Sequence, residues 1–74
     1  MSEYEKRRNE RFTEDMEEAG YDVGLYEYGS YNGPSVRVRR NELDDVTRST
    51  NMELRWAWAK PDSSHGDEIV IYPR

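Results

Sequence analysis

The chain has 74 residues, 11 lysines and arginines against 16 aspartates and glutamates for a formal charge of -5, and 34% hydrophobic residues. Leu, Ile, Val and Phe together number 11 of the 74, below the roughly 20% that usually separates folded chains from disordered ones, so a core has to draw on the six Tyr, two Trp and one Phe, each able to bury about 150–250 Å². The absence of cysteine excludes a disulfide framework, a cysteine zinc site and a thiol nucleophile, and no apolar run approaches the roughly 20 residues of a membrane helix.

The first twenty residues read as one helix. Ser2 and Glu5 match the S-x-x-E capping box, in which a hydroxyl takes an orphan backbone N–H and the carboxylate reaches back to the cap. Gly20 is a natural stop, because glycine enters the left-handed region without penalty. Tyr4, Phe12, Met16 and Ala19 fall near one face, and Glu3/Arg7, Lys6/Glu10 and Arg11/Asp15 are spaced to pair along the helix. The apolar stripe is strong only from Phe12 to Ala19, so residues 1–8 read as a charged segment prone to fray.

After Gly20 the period changes to two. Tyr21, Val23 and Leu25 alternate with Asp22, Gly24, Tyr26 and Tyr28, which predicts a strand. Gly29 to Pro34 is dense in turn formers, and Ser35 to Arg40, with Val36 and Val38 alternating with Arg37 and Arg39, completes a hairpin. Asn41 with Asp44 resembles a helix N-cap, and Leu43, Val46 and Thr50 follow at helical spacing in a helix of about two turns ending near Asn51. Met52 to Lys60 alternates again, placing Met52, Leu54, Trp56 and Trp58 on one face, the tryptophans as core residues or, in the alternative, with one ring anchoring a partner. A polar loop from Pro61 to Gly66 leads to a last strand, Asp67 to Tyr72. The expected fold is α+β, a single domain over residues 1–74 in the order α-β-β-α-β-β, with a four-stranded, mainly antiparallel sheet and a helix packed on one face.

Catalytic signals are weak. The one histidine, His65, sits in a Ser-Ser-His-Gly loop without an orienting group, and the carboxylate pairs lie on solvated helix faces. Asp62, His65, Asp67 and Glu68 share a stretch but match no metal-binding loop register, and the glycines do not form a phosphate-binding fingerprint. No catalytic residue, metal site or cofactor is expected.

Charge is unevenly distributed. Residues 1–22 carry a net -4 and residues 23–40 a net +2. Strand alternation sends Tyr26, Tyr28, Arg37, Arg39, Glu53 and Arg55 to the face away from the helices, with Glu27 and Glu53 as cross-strand partners for the arginines. Tyr26, Tyr28, Arg37, Arg39 and Arg55 are the primary binding candidates. A second candidate is the acidic end of the first helix, Glu14, Glu17 and Glu18, where carboxylates oppose the helix dipole.

Size, chemistry and exclusion favour a small non-enzymatic protein-binding module. The expected kind is an inhibitor or adaptor encoded by a phage, archaeal virus or mobile element, of anti-CRISPR or host-takeover type, that occludes a partner's surface. A nucleic-acid-binding protein using the Tyr/Arg face is the less favoured alternative, and a self-assembling dimer is the third. A protein partner and no membrane are expected, in the cytoplasm, or the host cytoplasm for a viral protein. The nine arginines against two lysines with an acidic balance suit a GC-rich and, in one reading, halophilic source.

Overall fold

The structure is a computed structural model that describes residues 2–59 and 67–74. Helix α1 spans Glu3–Glu18. The Glu5 N–H donates to the Ser2 Oγ at 3.1 Å, and the Ser2 hydroxyl returns a bond to the Glu5 carboxylate at 3.1 Å, so the expected box forms with the carboxylate on the hydroxyl. At the other end Gly20 has φ 94°. Its N–H donates to the Glu17 carbonyl, and that of Tyr21 to the Met16 carbonyl, the paired bonds of a Schellman motif that satisfy carbonyls the helix leaves open. Residues 3–8 are continuous with the rest of the helix. The apolar stripe is shorter than expected: Phe12 and Met16 are buried, whereas Tyr4 is 71% exposed and Ala19 is exposed.

The strands are β1 (Gly24–Tyr28), β2 (Tyr31–Arg39), β3 (Leu54–Trp58) and β4 (Glu68–Pro73). They form one antiparallel sheet in the order β1-β2-β4-β3. The expected six-residue turn is only Gly29-Ser30, since Tyr28 pairs with Tyr31. Gly29 has φ 58°, the residue a type II′ two-residue turn requires at its first position. Residues 31–34 therefore belong to β2. Pro34 is tolerated there because this half of the strand pairs with β1, while β4 pairs with residues 36–39. A 3-10 turn, Arg40–Glu42, opens directly into α2 (Leu43–Ser49). The Arg39 N–H donates to Glu42 Oε1 at 3.0 Å, so the second helical segment is entered earlier than an Asn41 cap implies.

Helix α1 packs on β2 and β4. Phe12, Met16, Val46, Val36, Val38, Ile69 and Ile71 make the core, with Tyr21, Val23, Leu43, Met52 and Leu54 packed around it. Val36 faces Ile71 and Val38 faces Ile69 across the ladder, and Trp56 and Trp58 pair with the same two isoleucines. The tryptophans are thus on the expected side of the sheet, but they are not core: they remain 41% and 38% exposed. β3 is an edge strand, while α1 packs on β2 and β4, and the rings stay partly open to solvent. Among the described residues, no helix is long and apolar enough to cross a membrane.

The core is less one-sided than the sequence implies. In β4 Val70 and Tyr72, which alternate with Ile69 and Ile71, are also buried. Something other than helices covers the centre of the second face.

Candidate functional site

Around Tyr72 that cover is a group of tyrosines. Alternation along the paired strands places Tyr26, Tyr28, Arg37, Arg39, Arg55 and Tyr72 together, opposite the helices. Tyr26 stacks nearly parallel on Tyr28, with centroids 6.1 Å apart and planes 4° from parallel. Tyr26 also meets Tyr72 at 5.5 Å, and Tyr72 meets Tyr31 at 4.9 Å. These four rings form a continuous row running Tyr28, Tyr26, Tyr72, Tyr31, from exposed at one end to half-buried at the other. Offset and tilted contacts of this kind are worth about 0.5–1.5 kcal/mol each beyond simple burial.

The row is anchored at its inner end. The Tyr31 hydroxyl donates to the Pro34 carbonyl at 2.6 Å, and the Arg8 guanidinium lies 5.5 Å from the ring centre, within cation–π range. Gly33 leaves room beneath this ring: a Cβ there would stand 2.9 Å from the Tyr31 Oη and 2.9 Å from the Asn9 Nδ2, so both side chains would have to shift. Burial pushes the Tyr31 phenol up to about 12, with Arg8 pulling it down and Tyr72 adding to the rise. Tyr26 is also held above its ordinary value, by burial first, then by Tyr72 and Tyr28, against Arg37. Both phenols are therefore neutral hydrogen-bond donors near neutral pH.

Arg37 and Arg39 are charge-compensated by partners other than the expected ones. Arg37 pairs with Glu68 at 3.7 Å and Arg39 with Asp67 at 3.3 Å. Glu27 instead accepts from Asn32, and Glu53 pairs with Arg74 at 3.8 Å. Glu27 alternates out of the tyrosine face altogether, since it lies one residue from both Tyr26 and Tyr28. Arg55 stands opposite Tyr72 in the ladder. With Arg8, Arg74, Tyr31, Ser30 and Glu5 it lines a depression at the end of the sheet.

The acidic candidates are dispersed by comparison. Glu14, Glu17 and Glu18 are all exposed on α1, and no ion pair to them is formed by the other described residues. His65 and Asp62 lie outside the described residues. Among the described ones, no cluster of His, Asp and Glu could hold a metal ion. Asp67 and Glu68 are engaged with Arg39 and Arg37.

Three participants escaped the sequence. Tyr72 was readable, because it alternates with Ile71 and must face away from the core. Arg8 was also signalled: it continues the i, i+4 row of Phe12 and Met16, so it has to meet the sheet at the end of the buried stripe. Tyr31 had no such signal, being hidden in what reads as a long turn. A separate aromatic pair lies at the other edge, where Trp56 and Trp58 meet edge-on at 5.5 Å and Arg40 sits 5.9 and 5.7 Å from their ring centres.

Fold and face together describe a small α+β domain carrying an aromatic sheet surface on which two of the three arginines are paired with carboxylates. Comparison of the chain with protein-family models, with curated proteins and with solved structures gave no match.

Proposed function

We propose that the chain is a non-enzymatic protein-binding module that acts by covering part of a partner's surface, in the manner of an inhibitor or adaptor. The observation that carries this reading is the tyrosine row flanked by Arg37 and Arg39, both already paired with carboxylates. Tyr and Arg are enriched where proteins bind one another, with charge depleted at the centre of the contact. Rings held against each other lose little conformational freedom on binding, which keeps the cost of association down. A phosphate-tracking surface would instead leave its guanidiniums unpaired, and the overall charge of -5 repels a nucleic-acid backbone. An inhibitor of the anti-CRISPR or host-takeover kind would use such a face to occlude a site on a larger machine.

One observation favours the second reading, a single-stranded nucleic-acid binder: Arg8, Arg55 and Arg74 converge on the depression beside Tyr31 and Tyr72. Base stacking on aromatics with arginine at the phosphates is the chemistry of such sites. The two are separated by one set of measurements with the wild type and the Tyr26→Ala/Tyr28→Ala variant. Stoichiometric capture of one protein from lysates of candidate host cells, lost with the variant, is the expected result. Retention of that partner by the variant, or binding of single-stranded DNA or RNA with a steep salt dependence, would refute the protein-binding face. Sedimentation in the same buffer distinguishes partner binding from self-association.

A further inference from the structure

A second surface lies on the opposite side of β1. Helix α1 packs on β2 and β4, so β1 projects beyond it and leaves a groove of about 520 Å³ lined by Asn9, Glu10, Thr13 and Glu14 on the helix and by Val23, Leu25 and Pro34 below. The floor is apolar and open: Leu25 is 82% exposed, the most exposed large apolar side chain among the described residues. The wall is acidic, with Glu10 and Glu14 one helical turn apart. β1 also has a neighbour on one side only, so the backbone groups of its outer edge are unpaired by the sheet.

We propose that this groove takes an extended segment of a partner protein, added as a fifth strand to the free edge of β1, whose groove-facing side chains, every second residue, are in turn apolar and basic (lysine or arginine). Strand addition draws affinity from main-chain hydrogen bonds and specificity from alternate side chains. Here the apolar side chains meet Val23, Leu25 and Pro34. The long basic ones run their stems along the apolar floor and deliver their charges to Glu10 and Glu14. Charge complementarity selects the occupant. An acidic or phosphorylated segment is repelled by the helix wall, and a segment with proline on its pairing side cannot complete the ladder. The groove and the tyrosine row lie on opposite faces of β1, so this proposal stands or falls separately from the one above.

The test uses the full chain and a short synthetic peptide in which Leu and Lys alternate along one strand face, at every second residue, with Thr between them, followed by fluorescence anisotropy. A block-scrambled peptide of the same composition is the control. Binding of the alternating peptide, with hydrogen exchange slowed at the amides of residues 24–28, is expected. Glu10→Gln/Glu14→Gln should weaken it about fivefold, the sum of two exposed ion pairs. Glu17→Gln/Glu18→Gln removes the same charge from α1 outside the groove and should leave affinity within about twofold. Equal loss from both double variants, equal binding of the scrambled peptide, unprotected β1 amides, or no binding at all would each overturn the proposal. Far-UV circular dichroism confirms that each variant keeps its helix, since all four carboxylates are exposed.

Discussion

Phe12 and Trp56 are both large aromatics on the helix side of the sheet, yet truncating them should have very different consequences. Phe12 is 0% exposed and sits among Met16, Val36, Val46 and Ile71, so Phe12→Ala leaves an enclosed cavity and should cost about 3–5 kcal/mol. A chain of this size has a total stability of roughly 4–11 kcal/mol, so this variant loses from about a quarter to all of it. Trp56 is 41% exposed. About three fifths of its surface is contact, and the space left by Trp56→Ala opens to water, so the cavity contribution is missing. Scaling the transfer component and adding the lost edge-on contact with Trp58 gives about 1.5–2.5 kcal/mol. Urea melts followed by far-UV circular dichroism measure both. Equal destabilisation by the two substitutions would refute the placement of Trp56 outside the core.

Further expectations follow from the tyrosine face and the turn. With its pKa raised from 10.0 to about 12 in the fold, Tyr31 contributes stability that is fully present below pH 10 and lost as pH rises toward 12, because only the unfolded chain releases the proton in that window. Spectrophotometric titration of tyrosinate should show one late-ionising group that disappears in Tyr31→Phe and moves still higher in Arg8→Gln. The Arg37–Glu68 pair, with side chains 54% and 43% exposed, should show a coupling energy below about 1 kcal/mol in a double-mutant cycle at physiological salt; a larger value would mean that the pair is shielded from solvent. Gly29→Ala, at φ 58°, should cost about 1–2 kcal/mol while Gly29→Asn costs less, since asparagine tolerates the left-handed region. Thermal melts that rank the two alike would remove the special turn from the account.

Much of the fold is written in local chemistry. The Ser2/Glu5 box, the Gly20 stop and the alternation of Val36 and Val38 each act over a few residues, and each is found in the structure. The alternation also puts Tyr26, Tyr28, Arg37, Arg39 and Arg55 on one face. What local pattern does not carry is the extent of the helix over the sheet. Nothing in Leu54 to Trp58 tells an edge strand from a central one, and that difference decides whether the tryptophans are covered. The same limit applies to ion pairs: Glu27, Glu53, Asp67 and Glu68 were all within plausible reach of the arginines, and strand register alone selects Asp67 and Glu68. The Gly29 to Pro34 stretch misled because turn-forming residues also serve inside a strand, where Gly33 makes room for an aromatic ring.

The position of β4 has a consequence for how the molecule assembles. It lies between β2 and β3, contributes Ile69 and Ile71 to one face and Val70 and Tyr72 to the other, and all four are buried. During synthesis the β1–β2 hairpin and α1 emerge first, but they lack the strand that joins them to β3. Closing the β2–β4 ladder brings together residues such as Val36 and Ile71 from distant parts of the chain, a slow, non-local step relative to helix or hairpin formation. Until residues 68–73 have left the ribosome, α1 and β2 lack Ile69 and Ile71 to complete their core, and the tyrosine row has no Tyr72 to link its two ends.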